Sequence, residues 1–294
     1  MSIFRGAGVA LITPFKEDES VDYNQLHKLI DYQIENETDS IIICGTTGES
    51  ATMSKDERIE VIRDCVNYVN GRIPVIAGSG TNCTRDAIYL TKEATKCGVD
   101  GLLVVTPYYN KATQTGLIDY YTKIAKSTDK PILMYNVPSR TGCNIAPSTV
   151  AKLVKEADNI VGIKEASGDI SQIANIMDAT NGEIDLYSGN DDQIVPIMSL
   201  GGIGVISVLS NVVPKETHLI TQYALDGDFK EATKLQLKYL ELVHNLFSEV
   251  NPIPIKRAMK ELGYCNGCVR SPMTEMNEEK AKIMLDTMKT LNII

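Results

Sequence analysis

Apolar residues along the chain fall into short, nearly unbroken runs, each closed by Gly, Thr, Pro, Asn or Ser. The runs are "GVALITPF" (8–15), "SIIICGTTGES" (40–50), "PVIAGSG" (74–80), "GLLVVTPYYN" (101–110), "PILMYNVPSR" (131–140), "NIVGIKEAS" (159–167), "EIDLYSGND" (183–191) and "GIGVISVLSN" (202–211). They lack clean alternation, which is the pattern of strands covered on both faces. The segments between them are amphipathic. "YNQLHKLIDYQIEN" spaces Leu26, Leu29, Ile30 and Ile34 along one helical face. Ser54 followed by Glu57 has the spacing of a capping box, and Pro147 sits where a helix begins. Eight strand-plus-helix units in about 225 residues predict a (β/α)8 TIM barrel. A doubly wound sheet would show a glycine-rich phosphate loop after its first strand, and "KEDESVD" stands there instead. Beyond Leu225 the period changes to three helical stretches, so a barrel over residues 1–226 and a C-terminal helical appendix over 227–294 are expected, with Asp226-Gly227 as the boundary.

Composition narrows the function. The 294 residues are 43% hydrophobic and 23% charged, an ordinary globular balance. A formal net charge of -9 without a dense basic patch argues against nucleic acid or an anionic membrane as partner. The first twenty residues carry no long apolar region followed by a small-residue cleavage site, and no stretch approaches a membrane span, so a cytoplasmic location is expected. The seven Cys are scattered and odd in number, which suits reduced, structural thiols. "YCNGC" (264–268) lacks a second cysteine pair and is read as a turn on Asn266-Gly267. His27, His218 and His244 form no metal-binding cluster, so no metal is expected.

Candidate chemistry concentrates at the ends of the runs, where barrel enzymes build their sites. Lys164 sits inside an apolar strand, and lysine is rarely buried without a partner. Strict alternation would put it on one face with Ile160, Gly162 and Ala166, with Gly162 leaving room beside it. If that face is the barrel axis, burial disfavours the ammonium and frees a nucleophilic amine able to form a Schiff base with a carbonyl. The alternative is a strand-end lysine that reaches solvent. Tyr135 ends the preceding strand and is either a proton shuttle beside that amine or a core tyrosine with its hydroxyl at the rim. "GTTGES" offers Thr46, Thr47 and a Gly-flanked turn suited to a carboxylate, or to capping the next helix. Arg140 can fork onto a carboxylate or form a surface salt bridge.

Taken together, "GTTGES", "TPYYNK", "YNVPSRTG", "GIKEASGD", "GGIGVISV" and "NPIPIK" make the chain resemble, nearly end to end, the dihydrodipicolinate synthase and N-acetylneuraminate lyase family of Schiff-base barrels. The Thr46-Thr47 doublet and Arg140 resemble the synthase branch. That resemblance implies condensation of pyruvate with L-aspartate 4-semialdehyde to give 4-hydroxy-tetrahydrodipicolinate, the first committed step of lysine and diaminopimelate synthesis. It implies an imine between Lys164 and pyruvate, and a proton relay of Tyr135, Thr46 and Tyr109, the last reaching in from a neighbouring subunit. Thr47 would hold the pyruvate carboxylate, Gly189 and Ile206 would line the pyruvate pocket, and Arg140 would receive the semialdehyde. No cofactor is implied. A homotetramer built as a dimer of dimers is.

The resemblance also implies an allosteric cleft for lysine near Ser50, Ala51, Asn82 and Tyr108. There the expected histidines are Lys55 and Arg58, and an expected Glu is Asp86. Two added cations would repel an ammonium, so weak or absent inhibition by lysine is expected. The alternative within the family is a pyruvate-dependent sugar-acid aldolase or lyase, against which Arg140 argues. A silent, ligand-binding barrel would have lost part of the set Lys164, Tyr135, Tyr109, Thr46 and Thr47.

Overall fold

A computed structural model describes residues 2–294. Its eight strands are β1 (Gly6–Ala10), β2 (Ser40–Ile43), β3 (Val75–Gly78), β4 (Gly101–Val105), β5 (Ile132–Asn136), β6 (Ile160–Glu165), β7 (Asp185–Ser188) and β8 (Gly204–Ser207). All pair in parallel with their sequence neighbours, and β1 closes on β8, giving the TIM barrel that the run pattern predicts. Helices α1 (Tyr23–Glu35), α2 (Lys55–Val69), α3 (Thr84–Lys96), α4 (Gln114–Ala125), α5 (Pro138–Thr141), α6 (Pro147–Glu156), α7 (Ile170–Ala179), α8 (Ile194–Ser199) and α9 (Pro214–Leu225) fill the connections. Three more follow: α10 (Phe229–Leu246), α11 (Ile253–Glu261) and α12 (Glu278–Thr290).

Two apolar layers hold the wall. Ile41, Ile43, Leu102, Val104, Ile132, Met134, Ile163 and Leu186 face the surrounding helices. Ile42, Ile76, Leu103, Leu133, Tyr135, Ala166, Tyr187 and Ile206 fill the barrel interior. The alternation is broken once, between β5 and β6. Ile132 pairs with Ile160, but Leu133 pairs with Gly162, so Val161 is an extra residue in the ladder. The bulge turns Ile160 into the outer layer and leaves Val161 against the interior. Ile160 therefore does not share a face with Lys164, contrary to strict alternation. Nor does Gly162 make room for the lysine: a Cβ there would meet Leu133 Cδ2 at 2.7 Å and the Asp185 carbonyl oxygen at 2.6 Å.

Local signals set the helix starts. Ser54 Oγ accepts from Glu57 N at 3.2 Å. The reciprocal half of the capping box is absent, because the Glu57 carboxylate takes Arg270 at 2.6 and 2.7 Å instead. Asp22, Asp169 and Asp228 cap α1, α7 and α10 through their side chains. The last helices lie against the barrel rather than apart from it. Gln236 on α10 donates to the Asp192 carbonyl at 2.9 Å and accepts from Val195 N at 2.8 Å.

Candidate active site

At the carboxyl ends of β5 and β6, Tyr135 and Lys164 are register partners, each nine-tenths buried or more. Parallel neighbours bring two inward side chains side by side, and Lys164 Nζ lies 4.5 Å from the centroid of the Tyr135 ring. Burial pulls the Lys164 ammonium down to about 8; Arg140 pushes the same way, and Asp191 opposes. Burial raises the Tyr135 phenol above its ordinary value, with Arg140 and the Thr46 side chain favouring the phenolate and Glu165 disfavouring it. At neutral pH the pair is thus a phenol that holds its proton beside an amine that gives one up easily.

A second buried lysine shows what pairing does. Lys256 Nζ contacts the Glu49 carboxylate, donates to the Cys268 carbonyl at 2.7 Å and lies 4.0 Å from the Phe15 ring. Lys164 has no such carboxylate partner among the described ion pairs. Its nearest support is the field of Asp191, whose Oδ2 accepts from Val208 N and Leu209 N at 3.0 and 2.9 Å.

Around Lys164 lies a cavity of about 190 Å³ lined by Thr46, Thr47, Tyr135, Arg140, Gly189 and Asn251 among others. Thr46 and Thr47 come from the turn after β2, and Thr47 is buried. Its Oγ1 accepts from Asn251 Nδ2 at 2.9 Å, while Arg140 Nη2 donates to the Asn251 carbonyl at 3.3 Å. Arg140 stands on α5, the single turn after β5, at the exposed rim. Gly189 is what makes room for the lysine: a Cβ there would meet Ala166 Cβ at 2.6 Å and Lys164 Cε at 3.1 Å. Phe247, 43% exposed, borders the mouth.

Two of the expected residues stand apart. Ile206 is buried in the barrel interior and does not line the cavity. Tyr109 lies on the loop after β4, 91% exposed with φ +72°, and is not part of its own chain's cavity lining. The proposed allosteric residues also separate. Ser50, Ala51, Arg58 and Tyr108 line a second cavity of about 230 Å³ that shares Thr46 and Arg140 with the first. Lys55 and Asp86 do not line it; they pair with each other at 2.7 Å beside Arg85 and Tyr89. Asn82 meets its neighbourhood through its carbonyl, which accepts from Asn110 Nδ2 at 2.9 Å. Arg58 is buried, with Nε donating to the Gly78 carbonyl at 3.1 Å.

Sequence reasoning missed Asn251, the Glu49–Lys256 pair and Asp191. Lys256 closes the apolar run "NPIPIK", a weaker form of the signal that Lys164 carries. Asn251 has none, because its role depends on the C-terminal chain returning over the barrel. Among the described residues no group of three or more His, Cys, Asp or Glu is placed to hold a metal ion.

The dihydrodipicolinate synthetase family matches residues 3–291, and the chain belongs to that family. The 4-hydroxy-tetrahydrodipicolinate synthase of Lachnoclostridium phytofermentans is 58% identical over 294 residues, the full length of both chains. The crystal structure of dihydrodipicolinate synthase from Aquifex aeolicus superposes with a TM-score of 0.97 at 44% identity, covering 99% of each chain. Another solved structure, described as the first monomeric dihydrodipicolinate synthase variant, superposes with a TM-score of 0.97 at 40% identity, covering 99% of this chain and 98% of that one.

Proposed function

We propose that the chain is a Schiff-base lyase that condenses pyruvate with L-aspartate 4-semialdehyde to 4-hydroxy-tetrahydrodipicolinate, in lysine and diaminopimelate synthesis. Full-length identity of 58% to a synthase of that name supports the activity. The observation that carries the chemistry is a buried lysine without a carboxylate partner, in register with a buried tyrosine.

The steps follow from those two groups. The neutral Lys164 amine attacks the pyruvate keto carbon. Tyr135 protonates the departing hydroxyl, water leaves and the imine forms. Its positive nitrogen is the electron sink, so the Tyr135 phenolate left by that step takes a methyl proton and an enamine results. The enamine carbon attacks the aldehyde of the semialdehyde, and that substrate's own amine then displaces Lys164, closing the ring. Thr47 and the turn amides suit the pyruvate carboxylate, and the Arg140 fork suits the carboxylate of the semialdehyde. Thr46 sits beside the Tyr135 hydroxyl, where it can pass a proton outward. Gly189 keeps the lysine's path clear, and Ile206 supports the pocket from beneath.

The exposed Tyr109 completes the relay in a second subunit, within a homotetramer built from tight dimers. That a monomeric relative is described as a variant supports an oligomer as the ordinary state. The location is cytoplasmic; the seven free cysteines suit it, and among the described residues no helix is long and apolar enough to cross a membrane. Lysine inhibits weakly or not at all. Asp86 neutralises Lys55, so the repelling cations that line the cleft are Arg58 and Arg140. The division at Asp226-Gly227 stands as part of the same reading, with the appendix supplying Asn251 to the site.

The test is pyruvate consumption by the purified protein. Turnover with aspartate semialdehyde and none with N-acetylmannosamine is expected; turnover with the sugar alone would move the chain to the lyase branch.

A further inference from the structure

Directly behind the reactive pair, on the outer face of the barrel, a polar cluster sits where the pattern calls for apolar residues. Asn136 and Glu165 follow Tyr135 and Lys164 on their strands, are register partners themselves, and are fully buried. Asn136 Nδ2 donates to both Glu165 oxygens, at 3.2 and 3.0 Å. Ser167 N donates to Oε1 at 2.7 Å and Gln172 Nε2 to Oε2 at 3.3 Å. Asn136 Oδ1 accepts from Ile145 N at 3.1 Å, and Asn144 Oδ1 takes both Asn136 Nδ2 and Gln172 Nε2, at 2.8 and 2.9 Å. Every hydrogen bond to Glu165 comes from a donor, so these contacts favour the carboxylate against the burial that raises its pKa.

Glu165 does not line the reactive cavity. A buried charge gives little stability that an apolar residue of similar size would not, which directs attention to the geometry it holds. The geometry needing specification is at hand. The β5–β6 ladder already carries an extra residue at Val161, and a further one-residue slip would turn Lys164 to the outer face. The cluster closes the ladder one residue beyond the pair and also ties in Ser167 and α7. We propose that Asn136 and Glu165 are positioning residues that clamp the carboxyl ends of β5 and β6 so that Tyr135 and Lys164 stay aligned for imine formation. The inference rests on the reading of Lys164 as the nucleophile.

The test is the single-turnover rate of imine formation, read by rapid quenching of protein and pyruvate into borohydride. Glu165→Gln turns an amide donor onto donors, and Asn136→Asp sets a carboxylate against a carboxylate. Each is expected to slow the imine step about ten- to hundredfold. The KM for the semialdehyde should stay within about twofold, because Arg140 is untouched. The double variant N136D/E165Q reverses donor and acceptor and should recover about tenfold or more of that loss. Single variants that melt earlier but form the imine at the wild-type rate would overturn the clamp, and so would a double variant without recovery. Should a single variant not fold, the double variant and Gln172→Ala decide. A double variant near the wild-type rate, with Q172A slowed at unchanged melting temperature, supports the clamp; Q172A at full rate overturns it. Wild-type protein that traps no pyruvate on Lys164 refutes the underlying reading instead, and is distinguishable because it precedes any variant.

Discussion

Lys164 and Lys256 are both buried, and burial lowers both ammoniums, but only Lys256 touches a carboxylate, Glu49. Without one, Lys164 is held at about 8 instead of 10.5. In the native state the ammonium is disfavoured, so the fold carries a penalty that is complete below about pH 8. The penalty fades as pH rises from there toward 10.5, where only the unfolded chain still binds the proton. Lys164→Met should therefore stabilise the protein at pH 7 by at most about 3 kcal/mol while abolishing activity, and the gain should shrink by pH 9.5. Urea denaturation at the two pH values checks this; a variant less stable than wild type at pH 7 contradicts it. The same charges are expected to tune the rate. Arg140 lowers the lysine and Asp191 raises it. The rise of kcat/KM for pyruvate with pH should then move to higher pH in Arg140→Ala and to lower pH in Asp191→Asn. Shifts of the same sign in both variants would show that these charges do not set the amine's state.

At the scale of elements, the barrel was legible and the seams were not. Apolar runs of four to six residues between amphipathic helices fixed eight strands, because both faces of every strand are buried. The bulge at Val161 left no mark, since Ile160 and Val161 are interchangeable in an apolar run. Lys164, Tyr135 and both threonines could be read because each is a polar or reactive group at a strand end. Asn251, Asp191 and the Asn136–Glu165 contact could not, for they depend on which distant segments meet. The strongest such seam joins α11 to the turn after β2. Glu49 has φ +55° there, its Oε2 accepts from Arg270 N at 3.1 Å, and its other oxygen contacts Lys256. Lys256→Met should cost about 3–5 kcal/mol, because Glu49 is left buried and unpaired, and E49Q/K256M should recover most of it. The turn carries Thr47, so the KM for pyruvate should rise in K256M. Stability loss without any change in that KM would mean that the seam holds the fold but not the site.

For the assembled protein, the proposed relay turns on Tyr109. Tyr109 is the most exposed large aromatic residue of the chain, on a backbone with φ +72°, and its own cavity lacks it. If a second subunit receives it, Tyr109→Phe should lower kcat about ten- to hundredfold with little change in the KM for pyruvate. Specific activity should also fall on dilution in step with dimer dissociation seen by sedimentation. A monomer of full activity would contradict the shared site. Millimolar lysine should leave the rate nearly unchanged; half-inhibition below a millimolar would mean that Arg58 and Arg140 do not exclude it.

Imine formation at Lys164 leaves a covalent mark, and mass spectrometry reads it directly. The protein is incubated with pyruvate, reduced with borohydride and digested. A stable pyruvyl adduct on the peptide carrying Lys164, lost in Lys164→Ala, is the predicted result. An adduct on any other lysine, or none at full turnover, would contradict the account of this site.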